Sequence, residues 1–343
     1  MLPHPVTFVC SLPEGFPDLF GHPEIETPEP DSLKSYLGSE VSWVLRTYLV
    51  LKRKQLNVSI SARFIPDRIC VVSPYRVRTR SYRIDSFVVG CRSDFARPVM
   101  CDVSIVQNQG NVKSETDIFI PHWPQPGLTP RLRERGTELE NVAFKGRSFN
   151  LLPEFRSTDF LAQLARLGVR LEVQDESGSP TTEWSDYSTC DIVLAVRDLT
   201  EQDAMVKPSS KLVNAWIAGA PAILGPEPAF RDLRKSPLDY FEVKTPGEAL
   251  NAIRQLKSHP ALYEQMVANG RTRALGFSED VLAQKWIDAL AGTIDEHYVR
   301  WRRSAKLARL ANFPLKVVRQ KLANRAHNFH RDHGRRIVSG RHT

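Results

Sequence analysis

Short runs of β-branched and other apolar residues alternate with helically spaced apolar positions along most of the chain, the pattern of a parallel sheet wrapped by helices. In the first half these runs predict strands at 6–10, 57–61, 68–73, 86–90, 102–107 and 117–120. A loop rich in Pro and Gly fills 12–30, and an amphipathic helix is predicted from Asp31, as its N-cap, to about Leu51. The second half repeats the alternation. Strands are predicted at 141–145, 170–174, 191–196, 221–224 and 240–243, with helices at 158–167, 209–218, 247–258, 261–274 and 278–301.

Between the halves, Pro121, Pro124, Pro126 and Pro130 remove backbone donors and fix φ, which forbids a helix or a central strand. A stiff connector and a domain boundary are expected there. The division is a first domain at 1–125, a Pro-rich linker at 126–136, a second domain at 137–295 and a basic helical tail at 296–343. A chain of 343 residues also exceeds what one core usually supports. The expected fold is α/β, two Rossmann-like doubly wound domains with a C-terminal helical extension.

Charge changes the picture only once it is located. The net +8 divides unevenly: the segment 300–343 holds 13 Lys and Arg against Asp332 alone, +12, which leaves 8 − 12 = −4 for the rest. No apolar run reaches 18 residues, and the first residues, Met1 to Pro5, lack the charged and apolar regions of a signal peptide. Cys10, Cys70, Cys91, Cys101 and Cys190 are scattered and without a C-x-x-C pair, as in a reduced cytoplasmic protein. G-x-G-x-x-G, G-x-x-x-x-G-K-[ST] and G-x-S-x-G are absent, which disfavours dehydrogenase, P-loop and hydrolase chemistry. D-x-D, H-x-H and H-E-x-x-H are absent too, so no metal and no cofactor are expected. A diphosphate would be neutralised by Lys, Arg and helix N-termini.

One stretch offers such a site. Pro208 suits the first turn of a helix, Ser209 or Ser210 suits its cap, and Lys207 and Lys211 flank the positive end of its dipole. Free amides and two ammonium groups make an anion site. Gly219 then ends the helix ahead of Pro221. The stretch resembles the donor lobe of GT-B glycosyltransferases, P-x-x-K-x-x-(E/N)-x-x-A-x-G-x-P-x-(I/V), carried here by Pro208, Lys211, Asn214, the Ile217-Ala218-Gly219 run, Pro221 and Ile223.

The resemblance implies a sugar donor activated as a nucleotide diphosphate, with Lys211 on the diphosphate and Asn214 on ribose or sugar hydroxyls. It places Lys145, Gly146 and Arg147 in a loop near the phosphates. Glu227 either reaches the sugar from a strand end or only closes a turn. The resemblance covers roughly 140–290 and extends to the first half only in architecture. Many retaining members carry a Glu-x7-Glu pair; Val206 and Asn214 occupy those positions, so stereochemistry stays open.

A glycan, a lipid-linked molecule or a small molecule would be the acceptor, held by the first domain. Asp94 and His122, in loops after strands, have the chemistry of a catalytic base. In the tail, Leu315, Val318, Leu322, Ala326 and Phe329 form one apolar helical stripe amid basic residues. Such a stripe meets an anionic membrane or docks on the first domain or a second subunit; residues 330–343 are expected to be loose. Nucleic acid is not the expected partner, because no recognised module accompanies the charge. The competing reading is a non-catalytic GT-B-like scaffold that uses its tail at a membrane or in an assembly; on either reading the protein is expected to be cytoplasmic, and peripheral to a membrane where the tail meets one.

Overall fold

The computed structural model describes residues 1–22, 25–36, 38–77, 82–173 and 184–338, and Gln174, the last residue of the strand predicted at 170–174, lies outside them. Two compact units result, one from residues 1–123 and 279–331, the other from 124–278 and 332–343.

The first unit holds six parallel strands: β1 (Val6–Val9), β2 (Val58–Ser61), β3 (Ile69–Val72), β4 (Phe87–Cys91), β5 (Val103–Val106) and β6 (Asp117–Phe119). Their order is β2-β1-β3-β4-β5-β6, so the chain reverses direction across the sheet between β1 and β3. β1, β3, β4 and β5 are buried at every position, which is why they read as unbroken apolar runs. The helix predicted from Asp31 is three pieces: a 3-10 segment Pro30–Ser35, a π-helical segment Glu40–Leu45 and the α-helix Arg46–Arg53. Gly38, at φ 114°, takes a backbone conformation no continuous helix permits. Asp31 lies inside the first turn, and the cap position belongs to Glu29.

Helices Glu279–Ala291 and Thr293–Arg303 belong to this first unit, as does the following chain to Arg331, although the second domain is predicted to run to 295. Leu282, Trp286, Leu290, Ile294, Tyr298 and Trp301 fill the core beside Phe8, Trp43 and Phe87. Their spacing marks a buried face without saying which sheet buries it.

The second unit holds β7 (Asn141–Phe144), β8 (Arg170–Val173), β9 (Ile192–Ala195), β10 (Ala222–Leu224) and β11 (Phe241–Glu242), all parallel and ordered β11-β10-β9-β7-β8. Both sheets are therefore doubly wound. Ser157 caps the helix Thr158–Arg166 by accepting from the Phe160 amide. Thr245 and Glu248 form a reciprocal capping box on Pro246–Ser258. Short helices Glu201–Val206 and Pro228–Leu233, too brief for a periodic signal, are additions to the predicted set.

The expected linker at 126–136 belongs to the second unit. The Thr129 amide donates to Ser185 O at 2.8 Å, and the buried Arg131 holds Asp191 with Nε–Oδ1 at 2.9 Å. Prolines exclude regular structure but not packing. The end of the tail is likewise tied down: the Ile337 amide donates to Leu199 O, Glu201 donates to Arg335 O, and Val338 packs on the second core. Residues 339–343, the remainder of the stretch expected to be loose, lie outside the described residues.

Candidate functional site

In the second unit the direction of winding reverses between β7 and β9, and a crevice outside the carboxyl ends of those strands is the binding place such sheets offer. Phe144, Ala195 and Leu224 are the last residues of β7, β9 and β10. The residues that follow them are Lys145, Gly146 and Arg147; Val196 and Arg197; and Gly225, Pro226 and Glu227.

The helix Ser210–Ala218 begins beside these ends and stops at Gly219, whose φ of 73° is left-handed. Ser209 occupies the N-cap, but its hydroxyl accepts no capping bond; its carbonyl instead receives the Leu212 and Val213 amides. The positive end of the helix thus keeps donors that its own cap does not use.

Lys211 leads from that first turn back to β7. Its ammonium donates to the carbonyl of Lys145 and lies 4.9 Å from the centre of the Phe144 ring. Gly146 makes room for it, since a Cβ there would sit 3.0 Å from Lys211 Nζ and 3.3 Å from Phe144. Burial, followed by the nearby positive charge of Arg197, pushes the Lys211 ammonium down to about 7; Glu227 acts against this and Lys207 with it. A half-buried cation with a weakened hold on its proton is suited to an anion that restores the charge.

Arg197 and Glu227 form a buried pair. Arg197 Nε lies 2.8 Å from Glu227 Oε1, a second contact joins Nη2 to Oε2, and Glu227 is 0% exposed. The Glu227 carboxylate, expected at the sugar or in a turn, therefore grips a guanidinium, and Glu227 also stands at the N-cap of Pro228–Leu233. Asn214, expected on ribose or sugar hydroxyls, is buried; its Oδ1 accepts from the Gln125 amide at 3.0 Å, and its side chain also bonds to Tyr187. Lys207 caps the C-terminus of Glu201–Val206, and Ser210 opens the next helix. Lys145 reaches over the Tyr187 ring at 5.4 Å, whereas Arg147 is exposed beside Phe149. Lys145, Gly146, Lys207 and Lys211 are brought together; Arg147 is turned outward.

Arg197 is the residue that sequence reasoning passed over. Its signal was present, an Arg at the end of an apolar run, but its pairing with Glu227 is set by strand order.

In the first unit Asp94 follows β4 and accepts from Gln107 Nε2 at 2.9 Å. It lines a cavity of about 380 Å³ with Tyr75, Phe95, His327 and Arg331. His122 follows β6, its ring edge-on to Trp43 at 5.3 Å. Its Nδ1 lies 2.5 Å from the carbonyl of Trp123. A carbonyl can only accept, so Nδ1 carries the proton and Nε2 the lone pair. Burial pushes the imidazole pKa down, which favours the neutral ring against the opposing effects of the Trp123 bond and of Asp94. At this sheet's own reversal point, between β1 and β3, Arg76 binds Glu40 at 2.7 Å and also meets the Ser11 hydroxyl, while the Ser11 amide donates to Glu40. None of these three was foreseen, because the strand order that unites them is a property of the fold.

Among the described residues, no group of three His, Cys, Asp or Glu side chains is placed to hold a metal ion, and no helix is long and apolar enough to cross a membrane.

No protein-family model matches the chain, and no curated protein matches it. Solved structures do resemble it. TarM is 12% identical, with a TM-score of 0.45, over 71% of this chain and 58% of that one. The GtfA/B complex is 10% identical, with a TM-score of 0.47, over 74% and 61%. HepE of Anabaena, solved with UDP and glucose, is 12% identical, with a TM-score of 0.43, over 74% and 83%. The chain thus spans about three fifths of the TarM and GtfA/B chains. Identities this low give no residue a role.

Proposed function

We propose that the chain is a glycosyltransferase of the GT-B type that moves a sugar from a nucleotide-diphosphate donor to a glycan, lipid-linked or small-molecule acceptor. The observation that carries this reading is the meeting of Lys211, the Lys145–Gly146 turn and the uncapped start of Ser210–Ala218 at the reversal point of the second sheet. That constellation suits a diphosphate: an ammonium, backbone donors and a helix dipole converge, with Lys207 adding positive charge.

In this mechanism the leaving diphosphate accumulates negative charge as the glycosidic bond to it breaks. Lys211 and the first-turn amides stabilise that charge as donors already held in place. The buried Arg197–Glu227 pair lies close enough to act on the charge of Lys211. On the acceptor side His122 serves as the base: its Nε2 lone pair takes the proton of the attacking hydroxyl, and the Nδ1–H bond to Trp123 fixes the tautomer. Asp94, already bonded to Gln107, is the alternative base.

The direct test is thermal denaturation of the full chain with UDP and with GDP. A rise in Tm with either, lost in Lys211→Ala, supports the reading. No response to any nucleoside diphosphate overturns it.

A further inference from the structure

The tail helix Lys306–His333 is attached by a mostly polar side that includes one aromatic contact. Phe313 stacks on Tyr82 at 5.5 Å, Lys316 pairs with Asp102 at 2.9 Å, and Gln320 bridges Arg97 O and the Met100 amide at 3.0 and 3.1 Å. His327 is buried one further step along. Positions 313, 316, 320 and 327 fall on one helical face, and that face is turned to the first unit.

The apolar stripe lies on the opposite side. Leu307 is 79% exposed, Leu315 49%, Val318 53%, Leu322 60% and Phe329 61%. An amphipathic helix in a globular protein ordinarily buries this stripe and shows its polar face to water. Here the arrangement is inverted, and docking of the stripe on the first unit is ruled out because another face makes that contact. Pro314 lies inside the helix, and beyond it the stripe runs from Leu315 to Phe329 over roughly 21 Å, an apolar strip and not a scatter of single side chains.

The charges choose the occupant. At 100° per residue, Arg319 lies along one border of the stripe and Lys321 and Arg325 along the other, all exposed. No Asp or Glu occurs from residue 300 to residue 331. We propose that this helix is an interfacial membrane anchor: its outward stripe enters the headgroup–acyl boundary of an anionic bilayer, and the flanking cations bind lipid phosphates. The inward polar contacts hold the helix to the body, so the stripe is presented already folded. The inference goes beyond sugar transfer and rests on the tail alone.

Flotation of the full chain with vesicles of phosphatidylglycerol and phosphatidylcholine tests it, with phosphatidylcholine alone as the reference. The expected result is preferential binding to the anionic vesicles that weakens as salt rises. The double variant Val318→Glu/Leu322→Glu should lose at least tenfold in binding while its circular dichroism and Tm stay unchanged, because both side chains are exposed. Arg319→Gln/Lys321→Gln/Arg325→Gln should lose the anionic preference. Three outcomes overturn the proposal: no binding of the intact chain to anionic vesicles, unaltered binding by the Val318/Leu322 variant, or a stable dimer in solution that the same variant converts to monomer.

Discussion

The ammonium of Lys211 donates to the main-chain carbonyl of Lys145, joining the first turn of a helix to the end of the strand at which the second sheet reverses direction.

The lowered pKa of Lys211 fixes a direction of pH dependence. The folded value is about 7 and the unfolded one 10.5, so the unfolded chain binds more protons between those limits and stability should rise with pH across that window. A bound diphosphate favours the charged form, so nucleotide binding should take up a proton at pH 8 and weaken progressively above pH 7. Calorimetry in buffers of different ionisation enthalpy reads the uptake, and Lys211→Met should abolish it. Equal heats in all buffers would contradict the assignment.

Gly146 is required by its neighbour. In Gly146→Ala the new methyl group would crowd Lys211 Nζ at 3.0 Å, and the flexible ammonium is the group that yields. The expected outcome is a several-fold loss of UDP or GDP affinity with little change in Tm. A large drop in Tm with unchanged affinity would mean the site tolerates the displacement and the fold does not.

Removing one member of the Arg197–Glu227 pair strands the other in the interior. Glu227→Ala should cost about 3–5 kcal/mol in denaturant unfolding. Arg197→Met/Glu227→Leu should recover a large part of that stability without restoring nucleotide affinity. A double variant no better than Glu227→Ala would show that the pair acts through geometry the apolar residues cannot copy.

For the first unit, His122→Ala should lower kcat by about 10²–10⁴-fold and leave donor affinity intact, and Asp94→Asn should do far less. Turnover of a sugar nucleotide with mass detection of products separates the two. The reverse ranking would move the base to Asp94.

The candidate site was partly legible before folding. Lys211 and Gly219 state their local roles in the sequence, since a flanking cation and a left-handed glycine answer to short-range rules; Pro208, expected in the first turn, instead precedes the Ser209 cap. Glu227 and Asn214 did not. Their partners, Arg197 and Gln125, are 30 and 89 residues away, and only the packing of the second unit decides that these side chains are engaged internally.

The sequence by itself determined that this is an α/β chain of two parallel sheets, because runs of Val and Ile separated by helical periods have few other solutions. It also determined that the tail is a basic amphipathic helix. Tertiary structure decided which sheet takes the stripe from Leu282 to Trp301, that the proline-rich segment packs inside the second unit, and that the tail turns its polar face inward. The physical reason is common to all three. Periodicity says which residues of an element want a neighbour, whereas the neighbour's identity depends on long-range complementarity of shape, charge and hydrogen bonding. Gln320 seated against Met100 and Arg97, with Leu322 left in water, is such a choice.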